Sequence, residues 1–530
     1  MAIAPLSLKE NYWDLFQIQE EDLEFLYNHL LELETPQTPQ ELVKALVAER
    51  IRKEIKSLET EKSSGGNTFL PKAHYQTGQV LVFPANDWKP GNILSVRPGN
   101  NPEIPAFEVI EVSFGAEEIK YFATGLPDHT LNKPIPIARD DPNLNVEKVL
   151  VKYGPHITEL LSNEIQTNPD LVVIAGRWFP RALLVDVNIG HLNLAEALLE
   201  MENGGPLTTP AILEQIELPT DVNLKLTEFS LNLALEEDPR FDEVGPSGVV
   251  LWFLHQLEPD GVRELPVYLR HEGKPEFSPD TISMLGQLDT DIIDDLDGFD
   301  LPNQTEDEVI VSLTYPHWRA GTLPLSNRVK RLFPSAYESP RVIFTFLDSD
   351  LGTNISGWVV RSSRYVFGLR DWFTSQGLIP GSLVHIHRSK NPGEVLIRAE
   401  RKRPTRDWVR TALVGADGGI VFAMLKQLMT TKTNERTALY IHETEVLDNI
   451  WENDLRSRVS LETIIRNMMR ELAKLNPQGH VHVEEIYAAV NLLRRASPGM
   501  IITSLLSFDN VSYLGNLYFR LIDPPQENVP

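Results

Sequence analysis

Near the start of the chain, apolar residues recur at helical spacing. Leu15, Phe16, Leu23, Leu26 and Leu30 predict a helix over 12–33. Gln37-Thr38-Pro39 breaks it. Thr38 with Glu41 has the pattern of a capping box, and Pro39 suits the first position of a second helix. That helix, carrying Leu42, Val43, Leu46, Val47, Ile51, Ile55 and Leu58, is predicted to run to about residue 60. Lys62-Ser63-Ser64-Gly65-Gly66-Asn67 reads as a linker, closing a helical segment at 1–62. The period then shortens. Gln79–Phe83, Asn92–Val96 and Phe107–Val112 are short runs separated by Gly, Pro and Asn, which predicts a small antiparallel β-barrel over 70–145.

An internal repeat follows. Phe241-Asp242-x-Val244 is followed by Gly248 and Leu254, and Phe508-Asp509-x-Val511 by Gly515 and Leu521, at the same offsets. Upstream, Leu207 leads to Ile212 as Val481 leads to Ile486. Helices are predicted at 194–202, with Asn193 and Glu196 as caps, and at 460–475. A third helix precedes each Phe, at about 225–236 and 498–507. Each unit thus reads helix, short strand, helix, helix, two-stranded hairpin. That order resembles the winged helix-turn-helix, and the Phe-Asp-x-Val ending is similar to the winged domain of the delta subunit of bacterial RNA polymerase. The units span about 190–256, within a domain at 146–256, and 458–524. A groove-reading helix needs Arg, Lys, Asn or Gln. The third helix of the first copy, 225–237, is acidic and that of the second, 498–507, carries no charge. Protein contacts are therefore expected of both. Arg494 and Arg495 are expected on a solvated helix end.

Residues 321–400 alternate as strands at 342–347, 357–361, 364–367, 382–386 and 394–398. A helix over 369–378 places Leu369, Trp372 and Phe373 on one side and ends at Gly377, suited to a left-handed cap. A further strand before 326 and a short helix over 329–334 complete the pattern. Leu325-Ser326-x5-Leu332-Phe333-Pro334, Gly357-Trp358-x-Val360 and Gly368-Leu369-x2-Trp372-Phe373-x3-Gly377-Leu378-x2-Gly381-x2-Val384 carry a resemblance to the DNA-binding pseudobarrel superfamily. That superfamily includes plant auxin-response-factor-type domains and restriction-endonuclease recognition domains. The match covers about 80 residues of the chain, and Ser382 stands where the family often has an acidic residue. The resemblance implies a seven-stranded-type fold whose two arms grip the major groove. One arm falls on Ser326, Asn327, Arg328, Lys330 and Arg331, the other on Arg361, Ser362, Ser363, Arg364 and Tyr365. These residue types contact bases and phosphate. Arg401, Lys402 and Arg403, in a run where six of thirteen residues are basic, read as a phosphate-tracking tail.

Charge sharpens this picture. The 530 residues carry a net charge of −26, yet 317–414 hold 16 basic and 7 acidic residues. The preceding block, 146–316, has 9 basic and 32 acidic. A binding field depends on local charge, so an acidic chain can hold a basic DNA-binding domain at 317–414. The acidic connector, 257–316, is densest at 289–308, where Asp295-Leu296-Asp297-Gly298 fails as a calcium loop because Ile293 and Gln304 occupy its end positions. It is expected to be a solvated, self-repelling linker. Residues 415–457 read as a second connector.

There is no cysteine, which excludes disulfides, thiolate metal sites and cysteine nucleophiles. Phosphate-loop, His-Glu-x2-His and Gly-x-Ser-x-Gly motifs are missing. Asp260 and Glu264 lack the lysine of a nuclease pattern. His385 with His387, and His480 with His482, could each face a metal from one strand, but no third ligand is visible in sequence. The expectation is a multidomain α+β protein, not an enzyme, without cofactor or metal. It lacks an apolar run of membrane-spanning length and a secretory signal, so a cytoplasmic location is expected. The expected partners are duplex DNA, with RNA polymerase, another protein subunit or a second copy of the chain at the winged units. The alternatives are a protein-interaction scaffold whose basic block docks on 286–308 or an acidic partner, and the recognition subunit of a nuclease or defence complex.

Overall fold

The computed structural model describes residues 4–522 apart from 6–10, 65–66, 84–85, 87–88, 102–105, 116–117, 133–136, 139–140, 217, 219–222, 272–275, 298–306, 337–338, 416–418 and 454–458. The protein is mixed α+β. It divides into one compact unit of Met1–Val185 with Thr220–Phe229, and another of Asp186–Pro219 with Ser230–Pro530.

In the first unit, helices Glu20–Leu33, Pro39–Ser64 and Val146–Ile165 bury Leu26, Leu30, Leu42, Leu46, Ile157 and Leu161. The Thr38 capping box forms reciprocally: Glu41 Oε2 accepts from Thr38 N at 2.8 Å, and Thr38 Oγ1 accepts from Glu41 N at 3.3 Å. The first helix starts at Glu20 rather than 12, because Gln19 is extended and its backbone N–H is capped by Asp22. Trp13 is instead a buried side chain donating to Asn143 O at 3.0 Å. The strands expected at 79–112 belong to a five-stranded sheet in the order Asn67–Thr68, Val80–Phe83, Lys89–Pro98, Glu108–Ser113, Ile119–Thr124. Phe69 stacks on Phe83, and Phe122 packs against both at a tilt.

Apart from Leu224–Phe229 of one helix, the second unit contains both repeats. In each, a helix (Ile189–Met201; Leu461–Ala473) leads to a short strand (Leu207–Thr208; Val481–His482) and a second helix (Thr209–Leu213; Val483–Val490). A third helix (Leu224–Glu236; Pro498–Ser507) and a hairpin (Phe241–Glu243 with Leu251–Leu254; Val511–Gly515 with Tyr518–Leu521) follow. In both, the last strand pairs with the first, giving equivalent three-stranded sheets. The first helix of the first copy begins earlier than expected, because Asn188, not Asn193, accepts from Gly190 N and His191 N.

A curled seven-stranded half-barrel lies between the repeats in sequence. Its order is Glu308–Ser312, Leu383–Arg388, Glu394–Ala399, Arg341–Asp348, Asn354–Val360, Tyr365–Phe367, Thr322–Pro324. Only Arg341–Asp348 with Glu394–Ala399 is a parallel pair. Val342, Phe346, Val366, Val384, Val395 and Ile397 fill its core. Helix Arg370–Ser375 packs Trp372 and Phe373 beneath it, and Trp372 Nε1 donates to Asp348 Oδ2 at 2.7 Å. Gly377 ends this turn at φ +64°, the left-handed conformation that favours glycine. At Gly368, φ is +121° and an added Cβ would lie 2.4 Å from Ser356 O, so no side chain fits.

Three expectations are corrected here. The edge strand Glu308–Ser312 begins before residue 317, so a domain cut at 317–414 would lose it. Residues 415–457 are more than a connector: Ile420–Thr431 pairs with Arg401–Val414 in a long hairpin, and Thr444–Glu452 is a helix burying Leu447 and Ile450. The acidic stretch is not wholly solvated, since Asp294, Asp295 and Asp297 are buried. No helix among the described residues is long and apolar enough to cross a membrane.

Candidate nucleic-acid interface

The two arms are neighbours because of how the sheet's edge is built. Strand Thr322–Pro324 lies antiparallel to Tyr365–Phe367, with Pro324 opposite Tyr365. The chain leaving that strand passes directly beside the turn 361–364, and Leu325 N donates to Arg364 O at 2.8 Å. Arg364 itself is left-handed at φ +58°, which reverses the chain between two strands. Arg361 Nη1 donates to two carbonyls beyond the first arm, Ala336 O at 3.0 Å and Ser339 O at 3.1 Å. In the first arm a short helical turn, Lys330–Leu332, starts from Ser326 O, which accepts from Lys330 N at 2.8 Å. Lys330 Nζ donates to Asn327 Oδ1 at 2.9 Å, and Arg328 Nη1 donates to Thr290 O at 2.6 Å.

Exposure sorts the expected contacts. Lys330, Arg361 and Ser362 are exposed, and Asn327, Arg328, Arg331 and Arg364 are half-buried. Ser326 and Tyr365 are buried. Tyr365 donates to Gly261 O at 2.8 Å, and burial pushes its phenol up to about 12. Placing these two side chains on an exposed arm is therefore corrected: a strand start and a tight turn carry them into the core.

The tail leaves from elsewhere. Val360 lies opposite Arg341, so the second arm sits where the central strand Arg341–Asp348 begins. The parallel strand Glu394–Ala399 has Ile397 opposite Asp348, so Arg401, Lys402 and Arg403 emerge past the other end. The central strand alone puts about 23 Å between them, at about 3.3 Å per residue. Arg401 is held by Gln376 and Lys402 by Asp407. Arg403 and Arg406 are exposed, and their side chains make no ion pair or hydrogen bond among the described residues. The half-buried Arg364 side chain likewise makes no ion pair or hydrogen bond among the described residues. On the hairpin, Trp408 is 62% exposed and stands opposite Lys426, whose ammonium lies 5.3 Å from the indole ring. Sequence reasoning missed this aromatic–cation pair, although a Gly-rich sequence at 415–419 separates its two strands.

The acidic segment packs within this unit. Arg495, expected on a solvated helix end, has a side chain only 1% exposed. It donates to Asp294 Oδ2 at 3.0 Å and also to Asp295. Tyr487 donates to Asp294 at 2.6 Å, His317 Nε2 lies 3.1 Å from Asp295, and Gly499 N donates to Asp297 at 3.1 Å. Burial works to raise Asp295, but Arg495 and then His317 hold it well below the usual carboxylate range. Burial, followed by repulsion from Asp294, pushes Asp297 up to about 7.

Two clusters have donor atoms close enough to share an ion: Glu308, His385 and His387, and Asp242, His255 and Glu258. The His480–His482 pair does not join them. His482 is buried, burial lowers it to about 4, and its Nδ1 accepts from Glu484 N. In the second cluster Arg341 Nη1 already lies 2.6 Å from Asp242, 3.1 Å from Glu258 and 3.3 Å from His255, so a guanidinium occupies its centre.

Burial and then Asp242 push the Glu258 carboxyl up to about 8, against the opposing pull of Arg341. A raised carboxyl adds stability that is full below its ordinary range near 4.5 and is lost as pH rises towards 8. Glu258→Gln keeps the neutral shape, so its urea midpoint is expected to fall less between pH 5 and pH 9 than that of the unaltered protein. Parallel pH curves for the two would contradict a neutral Glu258.

Comparison with protein-family models, with curated proteins and with solved structures finds no match for this chain.

Proposed function

We propose that this chain is a DNA-associated regulatory protein of the transcription-related class, which grips duplex DNA through the two arms of the half-barrel. The observation that carries the reading is the joining of the arms at one sheet edge, within a block of 16 basic and 7 acidic residues. Base edges are read by arginine and amide side chains, and phosphates by cations. Asn327, Arg328, Lys330, Arg361, Ser362 and Arg364 supply both kinds. The exposed Arg403, Arg406, Trp408 and Lys426 of the hairpin make a separate basic surface suited to backbone contact.

The two repeats serve protein contacts in this reading, with RNA polymerase, another subunit or a second copy as partner. The third helix of the second copy has no Arg, Lys, Asn or Gln; that of the first is acidic, with Lys225 at its start and its Asn232 buried. In the second copy, Ile501, Ile502 and Leu505 form core, and helix Pro279–Leu285 packs alongside, joined through Thr281 and Thr503. An exposed apolar patch on that helix is thus reduced to Leu506. Contacts by this copy would use its remaining surface.

The test uses the full chain. Arg328→Ala and Arg364→Ala should each weaken duplex binding by about 1–3 kcal/mol if they reach base edges. Circular dichroism should be unchanged. Unchanged affinity in both variants, with the fold intact, would show that the arms are not the grip. One observation favours the rival reading of a scaffold that binds no nucleic acid. Arg328 already donates to Thr290 of the acidic segment, and Ile293 of that segment lies in the half-barrel core. On that reading the unaltered chain would not bind DNA at all.

A further inference from the structure

We propose that Glu308, His385 and His387 form a binding site for one divalent transition-metal ion of the zinc class. The sequence offered two histidines on alternate positions of one strand and no third ligand. The fold supplies it. The edge strand Glu308–Ser312 lies antiparallel to Leu383–Arg388, with Glu308 directly opposite His387. His385 is two residues from His387 and shares its face of the sheet. Glu308 Oε1 therefore sits 2.5 Å from His385 Nδ1 and 3.1 Å from His387 Nε2. All three donor atoms lie within 4.8 Å of one another. Two imidazoles and one carboxylate are the donor set of zinc sites that keep an open coordination position, and of related first-row ions.

The support around His385 fits a metal ligand. Its other nitrogen, Nε2, lies 3.3 Å from Glu400 Oε2, and Glu400 is held in turn by Lys432 Nζ. A carboxylate on the far nitrogen fixes the ring and leaves Nδ1 as the donor, the outer arrangement usual for metal-bound histidine. His385 is buried, whereas Glu308 and His387 are partly exposed, so ions can reach the site from solvent. One group competes. Arg398, the cross-strand partner of His385, places Nη2 3.3 Å from its Nδ1. It lies within 3.3 Å of His385 and also draws on Glu308 through its charge, whereas Arg341 lies within 3.3 Å of all three members of the other cluster. An entering ion would displace it.

The experiment is a calorimetric titration of the EDTA-treated full chain with Zn²⁺. One stoichiometric site is expected. Glu308→Gln and His387→Gln should abolish it, and Glu400→Gln should weaken it by about 10–100-fold without touching the ion. Arg398→Ala should tighten it, a gain that misfolding cannot produce. Cobalt(II) absorption of the unaltered chain should show a low-symmetry nitrogen and oxygen site. Absence of stoichiometric zinc binding would overturn the proposal. So would equal zinc affinity in the unaltered, Glu308→Gln and His387→Gln proteins, or unchanged affinity in Arg398→Ala.

Discussion

Replacing Arg495 with methionine is expected to cost about 3–5 kcal/mol of folding free energy, because it leaves paired buried charges without their partner. The guanidinium is enclosed, with Asp294 and Asp295 on it and Asn491 Oδ1 3.4 Å from Nη1. Removing it strands two carboxylates where burial disfavours charge. The effect spreads because the network joins separate stretches of chain. Asp295 also holds His317, whose Nδ1 lies 2.9 Å from Thr322 Oγ1 in an edge strand of the half-barrel. Asp294 holds Tyr487 of the second repeat. Adding Asp294→Asn and Asp295→Asn to Arg495→Met should recover much of the loss, since neutralising a whole buried network is far less costly than breaking it. Urea unfolding of the three proteins checks this. A loss under about 1 kcal/mol for Arg495→Met would contradict a buried, ion-paired guanidinium.

The repeats were legible in the sequence because each is built from local signals. Helical periods, a one-step strand and a Phe-Asp-x-Val hairpin recur in order, and each element is decided by its own residues. Glu308–Ser312 was hidden in the acidic run, but six of the half-barrel's seven strands and Gly377 were legible for the same reason. Long-range pairings were not. Glu308 meets His387 across 79 positions of chain, and nothing local marks either as a partner. Asp294 and Asp295 sit in an acidic run that reads as solvated, and only the fold brings Arg495 to them across about 200 positions. The hairpin was hidden by its own composition. Val409, Arg410, Thr411 and Ala412 are buried on both faces, so no alternation shows, and a register irregularity between Arg401 and Thr405 breaks the pattern further. Ser326 and Tyr365 were misplaced because a resemblance gives arm boundaries, not side-chain directions.

The largest effect expected under the proposed DNA grip is a salt dependence of duplex binding. The chain's net charge of −26 repels a polyanion at long range, so attraction must come from the local field of the basic block. Contact through about 6 phosphates releases counterions and gives a slope of log affinity against log salt of about −5. Between 50 and 200 mM salt that is a loss of about 10³-fold. The direct measurement is fluorescence anisotropy of a labelled duplex with the full chain across that range. Binding at 50 mM with a slope near −5 is the predicted result. No binding at 50 mM, or binding with a slope near zero, would contradict the DNA grip.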